Sequence, residues 1–237
     1  MKLSSPIYAI KRQAKLLARD NDIKLHEALN QLAAKEGFRD WSHLASSYSN
    51  ATPAKKVLSQ LNPGDMVLIA ARPGHGKTLL GLELAALAET SSRKGYIFSL
   101  DYNEMDVWDR FAKLGIDQNA NARSIVVDTS DDICAAYIVE CLENALGDAL
   151  VVVDYLQLLD QRRSNPPLQE QVQALKEFAI GQGAIVVMIS QIDRAFELSS
   201  SDMPSIEDVR LPNPVDLSLF DKLCFLHGGE IQIEKAA

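Results

Sequence analysis

The stretch Ile69–Thr78, IAARPGHGKT, ends in a lysine and a hydroxyl residue behind two glycines, a pattern that can hold a chain of phosphates. Gly74 and Gly76 let the backbone curl so that its N–H groups point at an anion. The Lys77 ammonium is expected to neutralise the β and γ phosphates, and the Thr78 hydroxyl to bind Mg²⁺. The expected nucleotide-binding segment is therefore the whole loop: Ala71, Arg72, Pro73, Gly74, His75, Gly76, Lys77 and Thr78. The phosphate-loop (Walker A) pattern G-x-x-x-x-G-K-[ST] would place its first glycine at position 71, where this chain has alanine. That change asks only for a permissive backbone angle at a strand end. A Gly-rich turn that merely contains Lys-Thr is the alternative reading of the loop taken alone.

A second group narrows the choice. The apolar run ALVVVDY ends in Asp154, a carboxylate at the carboxyl end of a strand, where open α/β sheets bind ligands. In phosphate-loop enzymes such an acid, on a strand next to the loop's own strand, holds Mg²⁺ through water. Thr78 and Asp154 are thus the expected metal residues, and a nucleotide with Mg²⁺ the expected ligand. The three cysteines (Cys134, Cys141, Cys224) form no C-x-x-C pair and read as reduced core residues; the four histidines have no metal spacing.

These groups need a scaffold. Continuously apolar runs at 66–71, 95–100, 124–128, 149–155 and 184–190 alternate with helical stretches near 77–90, 104–114, 131–146 and 167–182. Strands without polar alternation are covered on both faces, which predicts an α/β fold with a doubly wound, mostly parallel sheet and helices on both faces. Two short strands around Gly228-Gly229 would extend one sheet edge. Before the sheet, residues 1–50 read as a small helical module, with Asp40 as a helix N-cap and Phe38, Trp41 and Leu44 as its packing residues. Polar SSYSNATPAKK reads as a linker, which gives a module at 1–50, linker and lead-in at 51–62, and the sheet domain that carries the loop at 63–237.

Several of these segments also resemble a known family. ARPGHGKT, FSLDYNEMDVWDRF, VVVDYLQLL, IVVMISQIDR and MPSIEDVR follow the order and approximate spacing of the C-terminal ATPase domain of DnaB-type replicative DNA helicases, a RecA-like domain. The resemblance spans about residues 57–228. It implies a RecA-like ATPase with a DNA-processing role, in which Ala71 is tolerated because the family's loop commonly begins A-R-P-G. It also implies that Lys77, Asp101, Asp154 and Gln191 form the catalytic set. Asp101 stands where the family has a glutamate that polarises the attacking water, and Gln191 would sense the γ-phosphate. The shorter side chain matters, since a shift of about 1 Å in a positioning group can cost on the order of 100-fold in rate. Glu104, one turn later, is a candidate to compensate; the bland role for Asp101 is a helix N-cap.

The family's basic C-terminal strand and turn, which reach a neighbouring subunit's site, are not matched by GGEIQIEKAA, so Arg194 and Arg210 are the remaining candidates for an arginine finger, a group worth about 10³–10⁵ in rate. The family's DNA-binding loops correspond to DQRRSNPPLQEQ and IDRAFELSSSDMPSIED, where Arg162, Arg163 and Arg194 could meet single-stranded DNA. The implied partners are ATP, single-stranded DNA and further copies of the chain in a ring or a transient oligomer. A nucleotide switch that binds ATP, hydrolyses it slowly and unwinds nothing is the alternative. At the other end, LHEALNQLAAKEGFRDWSHLA resembles a short helical module ending in G-F-x-x-W that precedes several unrelated bacterial domains; it implies no chemistry, but could bind a protein partner.

Composition bounds the rest. With 237 residues and 47% hydrophobic content the chain can build one full-sized core and a small appendage. Its apolar runs are too short for a membrane span or a signal peptide, so a soluble, cytoplasmic protein is expected. A net charge of −8 excludes non-specific coating of nucleic acid by the chain as a whole. The first 24 residues are nevertheless basic, with Lys2, Lys11, Arg12, Lys15, Arg19 and Lys24 against Asp20 and Asp22; they are either a solvated helix face or a local anion-binding patch.

Overall fold

The computed structural model describes residues 7–21, 23–50, 52–121, 123–143, 149–159, 161–162, 164–199, 201–211 and 213–236. The chain divides into two compact units, Met1–Thr52 and Pro53–Ala237.

The first unit holds three helices, α1 (Ile7–Asp20), α2 (Leu25–Lys35) and α3 (Trp41–Asn50). Gly37 ends α2 and the Phe38 N–H closes back on the Ala33 carbonyl at 2.9 Å. Asp40 caps α3 by accepting from the His43 N–H at 2.7 Å, and Asn30 of α2 accepts from the Trp41 N–H at 2.9 Å. Ala33, Phe38 and Leu44 are buried together against Trp41, the packing expected from the sequence. The polar stretch read as a linker is mostly helical: α3 runs to Asn50 and α4 (Pro53–Leu58) begins at once, with Ala54 and Val57 fully buried in the second unit. Two apolar residues three apart give this short segment a face to bury, which outweighs its polar composition.

The second unit continues with β1 (Met66–Ala71), α5 (Lys77–Leu87), β2 (Lys94–Ser99), α6 (Glu104–Lys113), α7 (Gln118–Asn121), β3 (Ile125–Asp128), α8 (Ala135–Leu142), β4 (Ala149–Asp154), α9 (Leu168–Gln182), β5 (Ile185–Gln191), β6 (Lys222–His227) and β7 (Glu230–Lys235). The seven strands form one sheet in the order β3-β2-β4-β5-β1-β6-β7. All neighbours are parallel except β6 and β7. Successive strand residues point to opposite faces. Met66, Leu68, Val151, Val153 and Met188 pack with α8 and α9; Val67, Ile69, Val152, Val187 and Ile189 pack with α4, α5 and α6. The doubly wound sheet is as expected.

The C-terminal pair does extend one sheet edge, β6 lying parallel to β1 and β7 antiparallel outside it. Three details correct the expectations. The strand bearing Asp154 does not neighbour the loop's strand, because β5 lies between them. The helix expected from 131 begins at Ala135, and residues 144–146 of that expectation lie outside the described residues. Of the cysteines, only Cys224 is buried, with its thiol pushed up to about 12 by burial. Cys134 is half-buried and Cys141 exposed, because α8 buries the face of Ala135, Ile138 and Leu142 instead.

Candidate functional site

β1 delivers the loop to the carboxyl edge of the sheet. Ala71 is a regular strand residue paired with Gln191 on one side and Leu226 on the other, so the position makes no demand that only glycine could meet. The turn that follows does. Gly74 and Gly76 have φ of +82° and +87°, and an added Cβ would meet nothing within 4 Å at either. Glycine is therefore required there by backbone angle rather than by space. Gly76 is the N-terminal boundary residue of α5, whose first N–H groups have no intrahelical acceptor.

Lys77 opens α5 and retains only 9% of its exposure. Its ammonium lies 5.9 Å from the Tyr155 ring, and no ion pair joins it to a carboxylate among the described residues. Thr78 donates its hydroxyl to Asp154 Oδ2 at 2.8 Å. Asp154 is 2% exposed, and its Oδ1 has no hydrogen-bond partner among the described residues. Burial holds the Asp154 carboxyl above the usual carboxylate range; the Thr78 hydrogen bond and the Lys77 charge pull it down, and Asp101 pushes it up again. A hydroxyl and a half-satisfied buried carboxylate are hard oxygen donors of the kind Mg²⁺ takes, and Mg²⁺ needs only one or two from the protein.

A carboxyl raised in the folded state binds its proton more readily folded than unfolded, so its contribution to stability is largest at acid pH and is lost as pH rises through its folded pKa. Asp154→Asn is accordingly expected to raise the melting temperature of the nucleotide-free protein at neutral pH by about 2–4 °C, the shift that about 1 kcal/mol produces in a chain of this size. It is expected also to flatten the pH dependence. Thermal melts at pH 5 to 8 check both; a lower melting temperature at neutral pH would sink the idea.

Asp101 follows β2 beside Asp154: Ser99 is level with Asp154 in the sheet, and the Leu100 N–H donates to the Asp154 carbonyl at 2.8 Å. Its side chain is exposed, and its charge raises the titration of Asp154, Tyr102 and Tyr155. It is not a helix cap. That place belongs to Asn103, whose side chain accepts from the Asp106 N–H at 2.9 Å, because α6 starts only at Glu104. Glu104 is exposed in the first turn of α6. Gln191 ends β5 level with Ala71, and its carbonyl accepts from the Arg210 N–H at 2.8 Å.

Two loop side chains are engaged elsewhere. Arg72 is engaged at 2.8 Å by Glu197 and at 3.0 Å by the Ile192 carbonyl, so its place in the loop is a backbone one. The His75 ring stacks on His227, 4.8 Å between centroids, and its Nδ1 accepts from the Gly228 N–H at 3.4 Å. Arg162 pairs with Asp132, Arg194 and Arg210 are exposed, and Arg163 lies outside the described residues.

Some neighbours had no individual signal in the sequence. The Arg110 guanidinium sits 3.6 Å over the Tyr102 ring and its charge lowers the titration of Asp154. Gln157 donates to the Ser190 hydroxyl at 2.7 Å and to the Arg210 carbonyl at 2.5 Å, tying the end of β4 to that of β5. The aromatics flanking the two carboxylates, in DY at both Asp101 and Asp154, were the available clue.

Comparison with known proteins adds the family. Residues 49–132 and 108–227 match the DnaB-like helicase C terminal domain. The replicative DNA helicase DnaB of Leifsonia xyli is 25% identical over 207 residues, covering 74% of this chain and 45% of the relative. That of Geobacillus stearothermophilus is 25% identical over 210 residues, covering 74% and 46%. The chain thus spans less than half the length of these relatives. Among solved structures, a DnaB-like replicative helicase studied with its interactions with primase superposes with a TM-score of 0.60 at 17% identity, over 97% of this chain and 70% of that one. A KaiC-like protein of the hyperthermophilic archaeon Pyrococcus horikoshii gives 0.54 at 17% identity, over 73% and 80%. At these identities the likeness speaks for the fold.

Proposed function

The chain belongs to the family of DnaB-like helicase C-terminal domains, and from that footing we propose that it is a Mg²⁺-dependent, RecA-like ATPase with a role in processing DNA. The observation that carries this reading is that a nearly buried Lys77, with no ion pair among the described residues, opens α5, while the next residue, Thr78, hydrogen-bonds the buried Asp154 at the end of β4, whose Oδ1 has no partner among them. A protein interior tolerates neither group well alone. An anion against Lys77 and a cation against Asp154 satisfy both.

In this reading the backbone N–H groups of residues 74–78 cradle the phosphates, with Ala71 to Pro73 and His75 shaping the loop. Lys77 neutralises the β and γ phosphates. Thr78 and Asp154 hold Mg²⁺, which supplies charge neutralisation at the transferring phosphoryl group. Asp101 orients the attacking water. Gln191 reads the γ-phosphate and passes its state to the segment around Arg210, to which it is hydrogen-bonded. A further copy of the chain, in a ring or a transient oligomer, would lend the basic group that completes the site, with exposed Arg194 and Arg210 as the candidates. The same reading takes residues 1–50 as a separate partner-binding module, 51–62 as the lead-in, 63–237 as the ATPase domain and the cytoplasm as its place. No helix among the described residues is long and apolar enough to cross a membrane.

The slow switch remains a second reading for one reason, the aspartate at position 101. ATP turnover against protein concentration, with and without single-stranded DNA, tests the proposal. Turnover that rises with concentration and with DNA supports the ATPase; negligible turnover throughout, with ATP still bound, leaves the switch. Asp101→Glu is expected to raise turnover by up to about 100-fold and Asp101→Asn to abolish it, both with nucleotide affinity unchanged. Equal turnover in all three removes Asp101 from the site.

A further inference from the structure

Charge is divided unevenly between the two units. The first 52 residues carry eight Lys and Arg against five Asp and Glu, a net of +3, and the remaining chain sixteen against twenty-seven, a net of −11. Within the basic unit the charge is concentrated again on α1. At about 100° per residue, Lys11, Lys15, Arg19 and Arg12 fall within one arc of about 100°, and all four side chains are exposed. The opposite face carries Ile10 and Ala14, at 2% and 0% exposure. Among the described residues Arg19 pairs with the exposed Asp20 of its own helix, at 3.6 Å, a surface pair of little strength.

The acidic unit is poorly equipped for a polyanion. Of the arginines expected to meet DNA there, Arg162 already faces the carboxylate of Asp132. The segment carrying Arg194 also bears Glu197, Asp202, Glu207 and Asp208. We propose that this protein holds nucleic acid through the exposed basic face of α1 in its N-terminal unit, by contacts to the phosphate backbone.

The row Lys11, Lys15, Arg19 repeats at four-residue steps, about 6 Å apart along the helix, and presents three cations in line to one strand. Such contacts carry no base recognition, so the surface takes single strands of any sequence. A membrane surface is the poorer fit. Ile10 and Ala14 of its apolar face are already buried, and among the α1 side chains whose exposure is described only Leu16 is a large exposed apolar one. The choice of nucleic acid over another polyanion rests on the DNA-processing role proposed above.

The test is fluorescence anisotropy of the full chain with a labelled single-stranded oligonucleotide of mixed sequence, across a salt series, beside Lys11→Ala/Lys15→Ala/Arg19→Ala. Alanine keeps the helix, and circular dichroism checks that it does. Loss of three phosphate contacts is expected to flatten the log–log salt slope by about 2 and to weaken binding about 100-fold at 0.1 M salt. Binding of a fluorescent ATP analogue is followed in the same samples and should not change. If ATP does not bind but the oligonucleotide does, and the triple variant loses it, the ATPase reading fails and this one stands. A triple variant that binds oligonucleotide as the parent does overturns the proposal, as does a loss caused instead by Arg162→Ala. A parent that binds anionic vesicles or an acidic protein but no oligonucleotide overturns it as well.

Discussion

Lys77→Ala is expected to raise the dissociation constant for Mg²⁺-ATP by about 100-fold or more while the fold stays intact. Truncating one partner of a desolvated charge pair costs about 2–5 kcal/mol, and each 1.4 kcal/mol is a factor of ten in affinity. Two features place Lys77 within that range. Its stem is packed at the base of the loop, so the ammonium arrives already positioned. It is also a source of positive charge acting on Asp154, so its removal leaves that buried carboxylate harder to ionise and weakens the metal position together with the phosphate position. Lys77→Met, which keeps the apolar stem, should lose affinity to the same extent as alanine and should melt within a degree or two of the parent. Isothermal titration calorimetry with Mg²⁺-ATP decides it: a dissociation constant within threefold of the parent's in either variant means the lysine does not face phosphate.

The second large effect is far from any ligand. Gly95→Ala is expected to lower stability by about 3 kcal/mol or more, which in a chain of this size is a fall in melting temperature of roughly 10 °C. An added Cβ on Gly95 would stand 2.3 Å from the Ala85 carbonyl oxygen and 2.9 Å from its carbon. Those are backbone atoms of α5 and cannot rotate aside, so relief requires α5 to lift from β2. Gly81→Ala is the informative contrast. There the added carbon would meet Ile189 Cδ1 at 2.8 Å and Val152 Cγ1 at 2.9 Å, both ends of side chains that can shift, and a smaller loss is expected. Since α5 begins with Lys77 and Thr78, lifting it would also move both residues relative to Asp154, and Gly95→Ala should weaken Mg²⁺-ATP binding as a secondary effect. Thermal melts of the two alanine variants check the ranking. A Gly95→Ala protein that melts within 2 °C of the parent would show that α5 does not dock as closely as described.

Much of this was readable along the chain. The strands at 66–71 and 149–154 announced themselves by apolar runs with no polar alternation, because a strand covered on both faces has no solvent side to mark. Helices such as α9 are bounded by local signals, with Pro167 before it and Gly183 after it in a left-handed turn. The loop was legible for the same reason: its positive-φ positions need glycine, and its lysine and threonine follow at a spacing set by one turn of backbone. Where such local causes were absent, the reading slipped. The start of α8 depends on Gln171, a residue of α9, whose buried side chain accepts from the Ala135 N–H at 3.0 Å and donates to the Leu159 carbonyl at 3.0 Å and to the Pro166 carbonyl at 2.9 Å. No rule applied to residues 131–135 could supply a cap that comes from thirty-six residues away. Asn103 took the capping place expected for Asp101 because the chain needed two more residues to turn from β2 into α6.

The sequence by itself therefore determined the element order, the phosphate-loop pattern and the family resemblance, since each rests on residue types at short spacing. The tertiary structure decided which of those residues meet. It put β5 between β1 and β4, and still brought Thr78 within 2.8 Å of Asp154. It set a carboxylate against each of two arginines, Glu197 on Arg72 and Asp132 on Arg162. It also let α5 dock so closely on β2 that the only side chain Gly95 can carry is a hydrogen. Spacing along a chain fixes what a segment can do locally, whereas partners drawn from distant segments are set by packing, and packing has no local signature to read.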